Sequence, residues 1–401
     1  MIQNRDIVVI GIQPWDIEIG SNCKNIAIEF ARHNRVLYVN SPLDRITRYK
    51  EKNTPKIQKR IRIQQGQDPD LVKPGENLWN LYPRGVVESI NWIKSPWLYD
   101  LLNRRNNRIF AKDISSALKR LDFQNYILFN DSSMFLGLYQ KELLNPATYV
   151  YYMRDYLTKN PYWRRQGVRL EPELIRKADL VVNNSTLYAH YGRQFNKHSF
   201  MVGQGCDVTL FNDTDHEILP ADDLGSIPHP IIGYVGFMAS RRLDIGLIAN
   251  IAKQRPSWSI VLVGPEDDVF KASELHGIPN IHFLGSRDPR VLPTYIKGFD
   301  VCMNPQSVND ATRGNYPRKI DEYLAMGKPT VATATEAMDY FRNFTYLGST
   351  YEEYLELIER ALNEDSPEKQ QQRRNYATSH TWENNVLEIY KYIDLVSQRQ
   401  L

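Results

Sequence analysis

Short runs of apolar, β-branched residues alternate along this chain with segments in which apolar residues recur every three or four positions. The first run, residues 7–11, ends in glycine and is followed by a polar loop, a helical pattern over 22–32 and a second run at 36–39. This order of strand, loop, helix and strand is typical of the start of a parallel α/β sheet. Later runs of the same kind extend it at 126–129, 149–152 and 180–182.

The alternation begins again near residue 230. Further strands are predicted at 231–235, 260–263, 281–284, 300–303 and 330–333, and closing helices at 351–362, 367–378 and 382–396. Residues 212–229, between the two series, are acidic, contain two prolines and show no period. Two successive doubly wound units explain the pattern better than one large sheet. We therefore predict an α/β fold with domains over 1–207 and 208–380.

Composition narrows the class of protein. Of 401 residues, 42% are hydrophobic and 24% are charged, which excludes a disordered chain. No apolar run approaches the ~18 residues of a membrane-spanning helix, and the N-terminus lacks a signal-peptide pattern. Three widely spaced cysteines exclude a disulfide scaffold and a cysteine-based zinc site, and they favour a reducing cytoplasm.

The charge is distributed unevenly between the two halves. Residues 1–200 contain 31 Lys and Arg against 19 Asp and Glu, a net charge of +12, while the remainder carries −9. The densest basic run, 45–62, is predicted to be a loop after the second strand. With Arg104, Arg105, Arg108, Trp92 and Trp97 it could form a surface for anionic lipid, and the alternative is a solvated loop. No nucleic-acid-binding motif is present, and the acidic second half argues against that partner.

Residues 315–329 carry the most informative motif. Pro317 suits the first position of a helix, and Gly327 suits the position just past its end. Lys319 and Glu322 then share one helix face near the N-terminus, where the helix dipole favours an anion. A phosphate beside the lysine and a ribose beside the glutamate would together make a nucleotide site. The alternative is an ordinary surface ion pair.

The run PRKIDEYLAMGKPTVAT resembles the nucleotide-sugar-binding segment of GT-B glycosyltransferases of the glycosyltransferase family 4 type. The resemblance implies two Rossmann-like domains facing a cleft that holds the active site. It also implies that Glu322 grips the nucleotide ribose. The family has a second glutamate eight positions earlier, where this chain has Gly314, so the usual contact to the donor sugar is missing.

The resemblance extends to most of the chain. The stretch IIGYVGFMASRRLDIGLIANIAKQRPSWSIVLVGP is similar to the first βαβ unit of the family's donor domain. It implies that Gly236 approaches the ligand, that Arg241 or Arg242 at the next helix start binds the diphosphate, and that Gly264 borders the base pocket. Both arginines could instead be solvated. The closing SHTWENNVLEIYKYI is similar to the helix, 381–401 here, that packs back on the N-terminal domain.

The N-terminal half is similar to a narrower group, the glycosyltransferases of teichuronic acid biosynthesis. The stretches that carry this resemblance are GIQPWDIEIGSNCKNIAIEFARHNRVLYVNSPLD, FNDSSMFLG and YYMRDYL. This resemblance implies that the acceptor binds to the N-terminal domain and that the enzyme acts in the synthesis of a cell-wall or surface polysaccharide.

Candidate acid–base residues follow the strands of the N-terminal half. Asp16 lies in the loop after the first strand, Asp131 follows strand 126–129, and Arg154 and Asp155 follow strand 149–152. An inverting transfer needs a carboxylate to accept the proton of the acceptor hydroxyl, and Asp155 is our first choice. A retaining transfer depends more on cations that stabilise the leaving diphosphate. Arg154 and Asp155 could also form a purely structural ion pair.

Together these features predict a glycosyltransferase that moves a sugar from a nucleotide diphosphate sugar, UDP-linked by preference, to a lipid-linked or polysaccharide acceptor. The enzyme would be cytoplasmic and peripheral on the inner face of the membrane, bound through its basic N-terminal domain. No cofactor is expected, and no metal, because no DxD-type carboxylate pair follows a strand. The alternatives are a nucleotide-sugar epimerase of the same fold and a non-catalytic nucleotide-sugar-binding protein. A dehydrogenase is disfavoured because the glycine fingerprint is missing.

Overall fold

The computed structural model describes residues 1–17, 21–212, 217–309 and 312–397. The chain divides into two compact units. The first comprises Met1–Gln204 together with the segment from Trp382 onward, and the second comprises Gly205–Thr381. These divisions lie within three residues of the boundaries predicted at 207 and 380.

The first unit is built on a sheet of eight strands in the order β3-β4-β2-β1-β5-β6-β7-β8. Neighbouring strands are parallel except β3 and β4, which are antiparallel. The strands are β1 (Asp6–Gly11), β2 (Arg35–Val39), β3 (Leu71–Gly75), β4 (Leu78–Leu81), β5 (Ile127–Asp131), β6 (Thr148–Met153), β7 (Leu180–Asn183) and β8 (Ser199–Met201). Strands β1, β5 and β6 are buried along their whole length, as expected for a sheet covered on both faces.

Helices cover both faces of this sheet. They are α1 (Asn22–Phe30), α2 (Arg45–Lys50), α3 (Pro55–Gln64), α4 (Pro96–Leu121), α5 (Gln140–Leu144), α6 (Pro161–Lys177), α7 (Thr186–Arg193) and, from the end of the chain, α14 (Trp382–Ser397). Helix α14 packs against α1: the ring of Tyr390 stacks on Phe30 with centroids 5.5 Å apart, and its hydroxyl accepts a hydrogen bond from Asn34 at 2.8 Å.

The prediction of a loop over 45–62 is wrong, because this segment forms helices α2 and α3. Asp44 caps α2 by accepting hydrogen bonds from the backbone N–H groups of Ile46 and Thr47. Pro55 opens α3, and Ile63 is buried against the unit. The eight positive charges obscured two short helices whose capping residues were visible in the sequence.

The second unit contains a six-stranded, fully parallel sheet in the order β11-β10-β9-β12-β13-β14. Its strands are β9 (Ile231–Val235), β10 (Ser259–Val263), β11 (Ile281–Gly285), β12 (Val301–Asn304), β13 (Thr330–Thr333) and β14 (Tyr346–Gly348). Its helices are α8 (Ile245–Gln254), α9 (Asp268–Lys271), α10 (Leu292–Gly298), α11 (Arg318–Ala325), α12 (Tyr351–Glu364) and α13 (Pro367–Thr378). The fold is thus α/β with two doubly wound domains.

The topology decides where ligands can bind. In each parallel sheet the carboxyl ends of the strands lie on one edge, and the loops that follow them gather there. Gly236 and Gly264 follow β9 and β10 in the second unit, while Asp131 and Arg154 lie at the ends of β5 and β6 in the first. Within the described ranges, no helix is both long and apolar enough to cross a bilayer.

Candidate active site

Two glycines, Gly236 and Gly264, form a glycine edge at the ends of β9 and β10 in the second unit. Gly236 and Gly264 follow neighbouring strands and have φ angles of +142° and +147°, which side chains rarely allow. Gly236 donates its N–H to the carbonyl of Val263 at 2.8 Å, so the two turns are bonded side by side. A Cβ on Gly264 would lie only 2.1 Å from the carbonyl oxygen of Gly236. Glycine is therefore required at 264 by the close approach of the two turns, and of the two residues Gly264 is buried while Gly236 is partly exposed at the end of β9.

Helix α11 lies in the motif for which Pro317 and Gly327 were predicted to mark the two ends of a helix. Gly327 follows the helix with φ +74°, as predicted for its C-terminal end. Pro317 precedes the first helical residue, Arg318, and is the N-cap rather than the first helical position. This shift by one residue leaves Lys319 in the first turn, as the motif requires.

Lys319 lies directly beside the glycine edge. Its ammonium donates a hydrogen bond to the hydroxyl of Tyr234 at 2.6 Å and lies 4.3 Å from the centroid of that ring. A methyl group on Gly236 would be 3.0 Å from Lys319 Nζ. In the described part of the chain, no carboxylate forms an ion pair with this ammonium. The cation is therefore oriented and available to an anion at the end of β9.

Glu322 lies one turn further along α11. Burial raises the pKa of Glu322, and the positive charges of Arg318 and Lys319 offset part of this increase. Among the described residues, no side chain donates a hydrogen bond to its carboxylate. A half-buried carboxylate without such a partner is suited to accept hydrogen bonds from ligand hydroxyls.

Arg241 and Arg242 lie in the turn before α8 and not at the helix start, because Asp244 is the N-cap of that helix. The turn is held by hydrogen bonds from Asn309 and from the backbone of Ser307 to the two arginine carbonyl groups. Both side chains are exposed and have no acidic partner within the described ranges. Their position relative to Lys319 therefore depends on side-chain rotamers that no ion pair with a described residue fixes.

Two residues of this site escaped the sequence analysis. Tyr234 orients Lys319 from a strand 85 positions away, and its signal was a single tyrosine in an otherwise aliphatic strand. Arg318 adds a second cation to the first turn of α11 and influences the pKa of Glu322. Its spacing to Glu322 was a usable signal, because residues four apart share a helix face just as the three-apart pair of Lys319 and Glu322 does.

A second cluster lies at the carboxyl ends of β5 and β6 in the first unit. Arg154 donates to Asp131 at 2.8 and 3.3 Å, to Asp155 at 2.8 Å and to the side-chain oxygen of Gln13 at 3.2 Å. Of the four residues predicted here, Asp131, Arg154 and Asp155 come together and Asp16 does not. Gln13 is an additional member that the sequence did not indicate.

The two carboxylates of this cluster differ in accessibility. Asp131 is fully buried, whereas the side chain of Asp155 is 45% exposed. Asp131 also contacts the Cys23 thiol, whose pKa is raised by burial and then by the negative charge of Asp131. Asp131 is therefore placed to hold Arg154, and Asp155 is the carboxylate that a substrate can reach.

Asp16 lines a groove of about 700 Å³ in the same unit, between the loops after β1 and β2 and the helices α2 and α3. Arg60, on the opposite wall, donates to the carbonyl of Ser41 at 2.9 Å. Burial lowers the pKa of Arg60, and Asp16 counters this effect. Asp16 thus belongs to a neighbouring groove and not to the Arg154 cluster. In the residues that the structure describes, no group of three or more His, Cys, Asp or Glu side chains could hold a metal ion.

Comparison with known proteins defines the class. Residues 229–362 match the family described as glycosyl transferases group 1. This segment includes Gly236, Gly264, Lys319 and Glu322, so these candidate residues lie within the part of the chain that is similar to that family.

Individual relatives agree with this class. The chain is 26% identical over 245 residues to a Bacillus subtilis protein named "Putative teichuronic acid biosynthesis glycosyltransferase TuaH", a match that covers 57% of this chain and 60% of the relative. Sucrose-phosphate synthase from Thermosynechococcus elongatus superposes with a TM-score of 0.65 at 16% identity, covering 98% of this chain and 99% of that one. HepE from Anabaena in complex with UDP superposes with a TM-score of 0.63 at 15% identity, and the match covers 97% of this chain and 99% of that chain. The fold is GT-B.

Proposed function

We propose that the protein is a glycosyltransferase that moves a sugar from a UDP-sugar to a lipid-linked or polysaccharide acceptor in the synthesis of a surface polysaccharide. The observation that carries this proposal is the ammonium of Lys319 beside Gly236, with the carboxylate of Glu322 one turn away on the same helix. The choice of UDP is supported by the similar fold of HepE, which was solved with UDP.

The donor would be held by complementary charges. Lys319 and the N–H groups at the start of α11 suit a diphosphate, which carries negative charge to a helix N-terminus. Glu322 would accept hydrogen bonds from the ribose hydroxyls. The partly exposed backbone at Gly236 would allow the nucleotide to lie close to the end of β9. No metal enters this scheme, because cations and the helix dipole stabilise the leaving diphosphate.

Asp155 would assist an inverting transfer by accepting the proton of the acceptor hydroxyl as the new glycosidic bond forms. Arg154 positions this carboxylate by donating a hydrogen bond to it at 2.8 Å. In a retaining transfer the cations around the diphosphate would matter more. Because Gly314 supplies no carboxylate, a non-catalytic protein that binds nucleotide sugars is the second candidate.

A membrane-facing surface would bring the enzyme to a lipid-linked acceptor. Arg45 on α2 and Arg105 on α4 both approach Glu88, at 2.7 and 3.8 Å, so the two basic elements adjoin each other. Tyr49 and Trp97 are 77% and 74% exposed. Aromatic rings beside basic side chains suit the interface of an anionic bilayer.

The activity is tested by incubating the purified protein with a panel of nucleotide sugars and a membrane extract, and by following UDP release and radiolabel in extractable lipid or polymer. Transfer from one UDP-sugar supports the proposal. Isomerised sugar formed without an acceptor would identify an epimerase, and tight binding without turnover would identify the non-catalytic alternative.

Membrane binding has its own test. Sedimentation with phosphatidylglycerol vesicles, but not with phosphatidylcholine vesicles, should be lost at high salt and on neutralising Arg48, Lys50 and Lys52. Neutralising Lys253, Lys271 and Arg290 in the second unit removes the same number of charges and is the matched control. Equal sedimentation with both vesicle types would contradict the electrostatic part of the proposal.

A further inference from the structure

Helix α11 carries a third charged residue on a face that the candidate donor site does not use. Asp321 lies between Lys319 and Glu322 in the chain, and because an α-helix turns about 100° per residue it lies about 200° around the axis from Lys319. Lys319 and Glu322 are partly exposed, whereas Asp321 is fully buried. The buried face of α11 therefore carries a carboxylate that needs a partner inside the unit.

His380 is that partner. Its Nδ1 lies 2.7 Å from a carboxylate oxygen of Asp321, and the two side chains are only 6% and 0% exposed. Burial raises the pKa of Asp321, and the contact with His380 offsets part of this increase. In the described part of the chain, no other Lys, Arg or His side chain forms an ion pair with Asp321. Removing His380 would therefore leave a buried carboxylate without its partner.

Tyrosine rings hold the imidazole of His380 in place. The imidazole stacks on Tyr340 with ring centroids 4.9 Å apart, and it meets Tyr376 edge to face at 4.4 Å. The hydroxyl of Tyr316 lies 3.5 Å from Nδ1. Because close-packed rings leave little room for another rotamer, the imidazole is a fixed point to which Asp321 is bound.

The backbone around His380 is fixed as well. Its carbonyl accepts the N–H of Cys206 at 2.7 Å, so the start and the end of the segment 205–381 that forms the second unit are joined here. Earlier in the same part of the chain, Arg373 on α13 donates to the carbonyl of Gly327 at 2.9 Å, just past the end of α11. Helix α11 is thus held both at its end and through its first turn.

The start of α11 has no comparable anchor of its own. Pro317 is the N-cap, and its side chain accepts no hydrogen bond from the first N–H groups of the helix. The first turn nevertheless carries Lys319, whose ammonium lies beside Gly236. Because Asp321 closes this turn, its contact with His380 is placed to set how the turn is rotated about the helix axis.

We propose that His380 is a positioning residue: through Asp321 it fixes the rotation of α11, and it thereby orients Lys319 and Glu322 toward the nucleotide of the donor. The second half of this statement depends on the proposed function. The His380–Asp321 pair lies on the buried side of the helix, so it acts on the donor only through the helix and does not touch the ligand.

Two substitutions of His380 separate this role from simple packing. His380→Phe keeps an aromatic ring and deletes the hydrogen bond to Asp321. His380→Asn gives up the ring and keeps an amide that can hydrogen-bond to Asp321 from the position of Nδ1. In calorimetry at a temperature where both variants are folded, His380→Phe should bind UDP about tenfold more weakly than the unmodified chain. His380→Asn should recover most of that loss, whereas a role in packing alone predicts the opposite order.

A double variant tests whether His380 acts through Asp321. Asp321→Leu replaces the carboxylate by an apolar side chain of similar shape, so His380→Phe in this background leaves no buried charge and should fold even if the single variant does not. Adding His380→Phe to Asp321→Leu should change the Kd for UDP by less than about twofold. His229→Phe is the matched control, because it breaks the contact of His229 with Asp300 at 2.6 Å, before β9 and β12 and thus at the opposite edge of the sheet from Gly236.

Hydrogen exchange of the ligand-free protein tests the first half of the proposal without UDP. In His380→Phe the amides of residues 319–327 should exchange about tenfold faster than in the unmodified chain, while those of α8 and α12 keep their rates. A uniform increase over the whole second unit would show a general loss of stability and would overturn the inference.

The outcomes distinguish this inference from the proposed function. If the unmodified chain binds UDP but His380→Phe binds it equally well, or if His380→Asn binds it more weakly than His380→Phe, the positioning role is overturned and the donor site stands. If the unmodified chain binds no UDP, the proposed function fails together with the second half of the inference. The exchange of α11 then decides the first half, which unchanged rates would overturn.

Discussion

Replacing Lys319 by methionine tests the donor site most directly. The substitution keeps an unbranched side chain of similar length and removes the ammonium that lies beside Gly236. A hydrogen bond to a charged group contributes about 1.5–3 kcal/mol. A unit charge at 4 Å contributes up to about 4 kcal/mol at an effective dielectric constant of 20, before the cost of desolvating it. We expect a net loss of about 2–3 kcal/mol for UDP, or about 30- to 150-fold in Kd.

The assay is isothermal titration calorimetry with UDP and with uridine at two salt concentrations. Because uridine has no phosphate, its affinity should change less than threefold, and the loss for UDP should decrease as salt screens the interaction. Lys253→Met is the matched control. It removes the same charge from the last turn of α8, which lies at the opposite edge of the parallel sheet from Gly236.

Two results would refute this reasoning. Unchanged UDP affinity in a folded Lys319→Met protein would show that the ammonium serves only the ring and hydroxyl of Tyr234. An equal loss for uridine and UDP would show that the substitution distorts α11 and does not remove a phosphate contact.

Three further predictions concern carboxylates. Burial raises the pKa of Glu322, so Glu322→Gln should stabilise the ligand-free protein at pH 8, and this gain in stability should shrink as pH falls to about 4.5. The same substitution should weaken UDP binding by about 1–3 kcal/mol. Denaturant melts measure the stability and calorimetry measures the binding, and equal stability of the two proteins at pH 8 would contradict the predicted gain. Asp155→Asn should preserve UDP affinity and reduce the rate of sugar transfer about 100-fold, and normal transfer by this variant would exclude Asp155 as the base. Asp131→Asn leaves Arg154 partly unpaired in the interior, so it should instead lower the free energy of unfolding by about 3–5 kcal/mol in denaturant melts. Burial raises the pKa of Glu171 to about 7, so the native state keeps a proton that the unfolded chain releases, and stability should fall as pH rises from about 4.5 through 7. In Glu171→Gln the amide oxygen can still accept the hydrogen bond of Tyr151, so urea melts of this variant should no longer show the decline. A pH profile identical to that of the unmodified protein would show that Glu171 is already ionised in the native state.

Local sequence signals determined most of the fold. Runs of β-branched residues fixed the strands, and helical spacing with terminal proline and glycine fixed α11 and the order of residues on its face. These features depend on residues within about four positions of one another, so a single sequence contains them. The face shared by Lys319 and Glu322 was predictable for the same reason.

The same reasoning explains two wrong predictions. Helices α2 and α3 were taken for a loop because positive charge dominated their composition, although Asp44 and Pro55 marked both starts. Arg241 and Arg242 were assigned to a helix start that Asp244, two residues later, occupies. In each case a capping residue contained the correct boundary.

Only the tertiary structure decided the chemistry of the sites. Asp131, predicted to follow a strand, is the last residue of β5 and is buried between β1 and β6, whereas Asp155 lies past the end of β6 and is partly exposed. The hydrogen bond of Lys319 to Tyr234 and that of Arg154 to Gln13 both join residues far apart in the chain. Burial, desolvation and the order of strands in a sheet are properties of such distant contacts, and the pattern of neighbouring residues does not contain them.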